Sequence, residues 1–319
     1  MPNFTYPGVG SADLFEAVVR QAREADTSGF DTVMVMDHFY QLPFLGPPEH
    51  EMMECYTLLS ALAQHTSNVR LSALVTGNTY RAPAFLAKVV TTLDIVSKGR
   101  AQLGIGAGWY EMEHQSLGFE FGTFTDRFEK LEESLQIIRG MLAGETPSLD
   151  GTWYQVSQAM NFPAPVGRIP IMIGGGGEKK TLRLVAQYAD ESNLICAPED
   201  VGRKLDALAR HCEDLGRDRS EITVSYQGRA CIAPTHDEAV ADLDAYLAFS
   251  GVDVTSLSEE ELAFTRAACP HGDPDEIGEH FAKLLVPGID GFTVGAPFNG
   301  HVEGRVELLG QTLAKVVGL

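Results

Sequence analysis

Short apolar runs rich in β-branched residues recur along this chain at 30–36, 69–75, 101–105, 169–173, 192–196, 222–226 and 291–295, with helical periodicity between them. Ser11 reads as an N-cap, followed by Leu14, Phe15, Val18, Val19 and Ala22 on one face and Gly29 as stop. Pro83 opens a second helix that ends before Gly99, and 124–142 reads as a long one. Strand-helix alternation implies a parallel sheet covered by helices. A doubly wound sheet and a barrel both satisfy it. Seven such strands within 319 residues, with the chemically interesting residues just after strand ends, favour a TIM (β/α)8 barrel. The eighth strand would have to precede Ser11, where only Met1 to Tyr6 is available, so the first strand is expected to be short or missing. Residues 1–319 read as one barrel domain. It carries an irregular excursion at 144–168, with a hairpin around Gly151-Thr152-Trp153-Tyr154, and an insertion at 234–288 holding two or three helices before the last strand.

Charge and cysteine usage narrow the function. The balance is 24 basic against 44 acidic residues, a net −20. Such a chain repels phosphate backbones, so nucleic acid is not an expected partner, and an anionic ligand must be held by local features that overcome the global field. Five cysteines stand far apart, with no C-x-x-C spacing, and the nine histidines form no H-x-x-x-H pair. These patterns predict reduced thiols and no metal site. No apolar run approaches the roughly 18 residues of a membrane span, and the N-terminus lacks the basic and apolar regions of a signal peptide. A cytoplasmic enzyme acting on a small molecule is expected.

Three strand ends carry candidate chemistry. Gly174, Gly175, Gly176 and Gly177 follow a strand and precede a helix, with Lys179 and Lys180 just beyond. Glycine permits close approach of backbone to ligand, and a helix start offers free N–H groups, so this reads as a phosphate cradle. The plainer reading is a ligand-free turn. Gly104-Ile105-Gly106-Ala107-Gly108-Trp109 resembles a dinucleotide fingerprint, but Trp109 replaces the third glycine and no helix is expected to follow at once. Alternatively, Gly106, Ala107 and Gly108 let a flat ring lie against the backbone while Trp109 and Tyr110 wall the pocket, or the aromatics merely pack a tight turn. Asp37-His38 ends the first of the seven runs. His38 can polarise or protonate a reacting oxygen and Asp37 could orient it; the other reading is a capping Asp and a hydrogen-bonded His. After the second run, Thr76 and Asn78 could bond a polar ring edge and Arg81 could neutralise an anion, or the segment is simply a polar loop. Glu129, Glu132 and Glu133 read as a solvated helix face.

These motifs, in this order, resemble the bacterial luciferase-like superfamily, and within it the deazaflavin-dependent oxidoreductases. The matching segments are Gly29-Phe30-Asp31 with Asp37-His38, Thr79-Tyr80-Arg81-Ala82-Pro83, the run from Leu93 to Arg100, the turn from Gly104 to Trp109, and the glycine run with Ala189-Asp190. The resemblance implies a dimeric TIM barrel with FMN or coenzyme F420 (8-hydroxy-5-deazaflavin) at the C-terminal mouth. It also implies a non-proline cis peptide near Ala73-Leu74 supporting the cofactor ring. The glycine run would hold the phosphate, Gly106 to Gly108 would face the ring, and His38 would sit beside the reacting centre. In the superfamily's sugar-phosphate dehydrogenases a catalytic glutamate follows the glycine turn. Trp109 stands there in this chain, with Glu111 and Glu113 near but out of register.

Three functions follow as expectations. The first is a deazaflavin-dependent oxidoreductase moving a hydride to or from a small organic substrate. The second is an FMN-dependent monooxygenase with a water-excluding lid, which the 234–288 insertion could form. The third is a barrel that binds cofactor without turnover.

Overall fold

A computed structural model describes all 319 residues. In chain order the elements are α1 Leu14–Thr27, β1 Thr32–Val35, α2 Cys55–Leu62, β2 Arg70–Ala73, β3 Thr76–Gly77, α3 Pro83–Val96, β4 Ala101–Gly106, α4 Glu111–Leu117 and α5 Phe124–Leu142. They continue with β5 Leu149–Asp150, β6 Gln155–Val156, β7 Ile171–Gly174, α6 Thr181–Tyr188, β8 Glu191–Leu194, α7 Val201–Leu215 and β9 Thr223–Arg229. The last group is β10 Cys231–Ile232, α8 His236–Phe249, α9 Glu259–Ala267, β11 His271–Gly272, α10 Pro274–Ala282, β12 Gly291–Gly295 and α11 Arg305–Val317.

The main sheet runs β1-β2-β4-β7-β8-β9-β12, and every pairing is parallel. The short β3 continues the line of β2 and pairs with β4. This is the expected TIM barrel, with one seam, because β12 and β1 do not pair with each other. The N-terminal segment lies at that seam without forming a ladder strand. The Met1 amine donates to the Met34 carbonyl, the Asn3 side chain to the Pro297 carbonyl at 3.1 Å, and Phe4 and Tyr6 are buried.

The helices form where their apolar patterns require, except that α1 starts at Leu14 after Asp13 with no side-chain cap, so Ser11 is not its N-cap. Thr123 and Asp126 cap α5 reciprocally, and Leu131, Leu135, Ile138 and Met141 bury one stripe of it against the barrel. Pro83 occupies the first turn of α3 as expected. One contiguous core of 48 buried residues joins the inner faces of the helices to the strands. No helix of the molecule is long and apolar enough to cross a membrane.

Both irregular segments take shape. The 144–168 excursion contains the β5–β6 antiparallel hairpin. Glu133 pins it, accepting from the N–H groups of Thr152, Trp153 and Tyr154 at 2.8–2.9 Å, and Glu129 accepts from the Trp153 indole. The expectation that Glu133 belongs to a solvated face is therefore corrected: a loop with three unpaired N–H groups needs an acceptor. The later insertion holds α8, α9 and α10, and its β11 pairs with β10 beside the barrel. Tyr246 on α8 donates to the Leu45 carbonyl at 2.9 Å, and His50 packs against Phe249. The insertion is thereby clamped to the long loop that follows β1.

Candidate functional site

A cavity of about 1150 Å³ opens at the C-terminal ends of the strands and extends into the barrel. That is room for a tricyclic ring and a small substrate together. Three strand glycines, Gly106, Gly174 and Gly295, stand in its wall. Of the residues singled out in the sequence, His38, Asp37, Leu74, Thr76, Gly106, Ala107, Gly108, Gly174 and Gly175 line it.

The floor of the mouth is built around Val75. The expected non-proline cis bond is present one residue later than predicted, at Leu74-Val75. The Val75 side chain lodges between two strands, where a Cβ on Gly106 would lie 2.9 Å from its Cγ2 and a Cβ on Gly174 2.8 Å from its Cγ1. These two glycines therefore leave room for Val75, and the three residues together present a smooth apolar surface to a ligand. Ala73 is buried and does not line the cavity. Asn78 is also buried outside it, its N–H donating to the Gly106 carbonyl.

Behind this floor the glycine run forms a partial cradle. The Gly175 N–H is committed to the Asn193 carbonyl at 2.9 Å, whereas the N–H groups of Gly176 and Gly177 have no protein acceptor. The helix begins at Thr181, whose side chain lines the cavity. Two free N–H groups, a hydroxyl and a helix start fit an anion. Gly176 and Gly177 are set back from the cavity wall, and Gly176 has a packing reason of its own, since a Cβ there would lie 2.6 Å from the Ile195 carbonyl. Lys179 is exposed and outside the cavity. Lys180 stands nearer, its ammonium 5.5 and 5.6 Å from the ring centroids of Phe124 and Phe128, both cavity residues.

The polar centre departs from the sequence expectation. His38 Nδ1 lies 2.9 Å from Glu113 Oε2, not from Asp37. Glu113, fully buried on α4, also accepts from the Phe39 and Tyr40 N–H groups and from the Tyr80 hydroxyl at 2.6 Å. A carboxylate only accepts, so Nδ1 carries the proton and Nε2 is left for a ligand. Burial pushes the Glu113 carboxyl up, but hydrogen bonds from His38, Tyr80 and Tyr40 outweigh it and hold it below the ordinary glutamate range. Burial and the Glu113 charge together push the Tyr80 phenol up. Trp109 and Tyr110 meet the His38 ring edge-on at 5.8 and 6.0 Å. His114, next to Glu113, fixes the same wall by bonding the Thr79 hydroxyl at 2.7 Å.

Asp37 serves a different partner. Its two oxygens receive Arg81 Nη1 and Nη2 at 2.7 and 3.0 Å, and the Gly77 N–H at 3.1 Å. Burial raises its carboxyl against the pull of the guanidinium. Arg81 also binds Glu54 and lies over the Tyr56 ring, so the expectation of a free cation at Arg81 is corrected as well. The helix thought absent after the glycine turn is α4, which begins three residues past Gly108.

The folded Glu113 carboxyl is depressed, so its stabilising contribution is complete above the unfolded value of about 4.3 and is lost as pH falls through the lower folded value. The melting-temperature gap between wild type and Glu113→Gln should therefore be widest near neutrality and narrow below about pH 4. Calorimetry across pH 3–7 checks it, and a constant gap would assign the effect to packing alone.

Comparison with known proteins agrees with this geometry. A family model described as luciferase-like monooxygenase matches residues 2–290. An F420-dependent glucose-6-phosphate dehydrogenase of Microbacterium testaceum (strain StLB037) is 30% identical over 279 residues, covering 82% of this chain and 81% of that one. A 5,10-methylenetetrahydromethanopterin reductase of Methanolobus tindarius is 25% identical over 329 residues, covering 93% and 95%. Among solved structures, an F420-dependent secondary alcohol dehydrogenase superposes with a TM-score of 0.77 at 18% identity, covering 95% of both chains, a likeness of fold.

Proposed function

The chain belongs to the luciferase-like monooxygenase family, and from that premise we propose that it is a deazaflavin-dependent oxidoreductase acting on a small organic substrate at the barrel mouth. The observation that carries this reading is His38, held by Glu113 at Nδ1 and facing a cavity whose floor is Val75 between two glycines.

The residues present fit the cofactor. Gly106, Gly174 and Val75 would support its ring. The free N–H groups of Gly176 and Gly177, with Thr181, would take its phosphate, and Lys180 would meet the anionic tail that follows. When bound, a deazaflavin supplies two-electron hydride chemistry and reacts poorly with oxygen. The chain's own part is proton handling and exclusion of water. His38 Nε2 gives a proton to the substrate oxygen, or takes it, according to the direction of reaction. Glu113 keeps the ring in one tautomer and balances its charge when both nitrogens are protonated. Trp109 closes the edge of the site beside the imidazole, with Tyr110 stacked on it outside the cavity.

Side-by-side titrations with the deazaflavin and FMN test the reading. The deazaflavin is expected to bind more tightly, because its phosphodiester and glutamyl tail, longer than the FMN phosphate, would extend toward Lys180 and Lys179. That preference should shrink with added salt, since exposed charges are screened over about 8 Å at physiological ionic strength. Changing both lysines to alanine should cost the deazaflavin more than FMN. Tighter FMN binding by the wild type would replace this reading with an FMN-dependent monooxygenase, the activity for which the family model is named.

A homodimer and a cytoplasmic location complete the proposal. Phe85, Ile95 and Val96 on α3 are exposed, as are Phe162 and Val166 of the excursion, apolar surface suited to a second copy. All five thiols are free, and four are buried, which suits a reducing compartment.

A further inference from the structure

Arg229 ends β9 at the rim of the cavity. Its Nη2 donates to the Ala268 carbonyl at 3.0 Å, where α9 ends. Nε and Nη1 have no protein acceptor, and Arg229 takes part in no ion pair. Arg229 is exposed at the rim, so its free N–H groups are open both to solvent and to a ligand entering the mouth. The other guanidinium lining the cavity, Arg127, is occupied: it donates to the carbonyls of Gly108 and Gly122 at 3.1 and 3.0 Å and lies over the Phe121 ring at 4.0 Å. The cavity wall also includes Leu42, Phe44, Leu45, Trp109, Ala267 and Pro270, all apolar.

We propose that Arg229 determines substrate choice by binding a terminal carboxylate on a molecule whose body is apolar and whose carbonyl or hydroxyl reaches His38. The inference rests on the oxidoreductase reading above and names the substrate class for the same site. A guanidinium offers parallel N–H groups that match the two oxygens of a carboxylate. The wall has one guanidinium with free N–H groups, which suffices for the two oxygens of a carboxylate. The proposed class differs from the glucose 6-phosphate named for the Microbacterium relative.

The test compares 4-phenylbutanoate with the neutral 4-phenylbutanol by calorimetric titration, on the protein with and without deazaflavin. The wild type should prefer the carboxylate by at least about tenfold. Arg229→Gln should abolish that preference while leaving the affinities for the alcohol and the deazaflavin nearly unchanged. Arg229→Lys, which keeps the charge and loses the fork, should retain part of it, and it decides the matter if the glutamine variant does not fold. Equal affinity for both probes in the wild type would overturn the proposal. So would an unchanged preference in folded Arg229→Gln, or a loss confined to deazaflavin affinity, which would give Arg229 to the cofactor. If the wild type fails to bind deazaflavin, the cofactor reading falls, while the probe preference of the cofactor-free protein still decides Arg229.

Discussion

His38→Asn is expected to lower kcat by about 100-fold, the lower range for general acid–base work, with deazaflavin affinity almost unchanged. The expectation follows from the position of Nε2. Glu113 occupies the other nitrogen, so the ring has one free site and a fixed orientation. Asparagine can still reach Glu113 through its amide but offers no titratable group to the substrate. Steady-state rates with saturating cofactor, together with a separate cofactor titration, divide the roles. Normal turnover with lost cofactor binding would make His38 a binding residue. Glu113→Gln should reproduce part of the loss in kcat and also move the pH–rate profile, because it changes the charge facing the imidazole while keeping its shape.

Gly177→Val should weaken deazaflavin binding by tenfold or more, on the order of 1.4 kcal/mol. Its Cβ would lie 2.8 Å from the Thr181 hydroxyl oxygen, so a branched side chain would displace that group and shield the two free N–H groups. Gly177 is the suitable position in the run. At Gly176 the clash would be with the Ile195 backbone, and Gly175 has φ +124, so changes there would disturb the fold itself. An unchanged affinity in a folded Gly177→Val protein would place the phosphate elsewhere.

The barrel was legible because its central strands are buried on both faces and therefore read as continuous apolar runs, as β4 shows with six buried residues in succession. The long α5 was legible from its cap and its apolar stripe. The short α4 was not, because the side chains it buries are Glu113 and His114, which leave no apolar periodicity to detect. The partner of His38 was missed for a related reason. Sequence adjacency suggested Asp37, yet successive side chains of an extended segment point to opposite sides. Asp37 turns to Arg81 while His38 turns to Glu113, 75 positions away. Asp37 and Arg81 look like free reagents when read alone, and they form a bidentate pair once folded. No one-dimensional signal marks an unpaired cation such as Arg229, since its isolation is defined by the absence of neighbours in space.

The bond from Tyr246 to the Leu45 carbonyl gives the two flanks of the mouth a shared fate. One flank is the loop that starts at His38, the other the insertion whose α9 ends at the Arg229 contact. A displacement of the insertion outward would pull on the chain that leads back to His38, which couples the aperture to the position of the imidazole. A bulky substrate that forces the rim open would then meet a histidine drawn out of line. Size selection in such an arrangement acts on the rate of the chemical step and not only on admission.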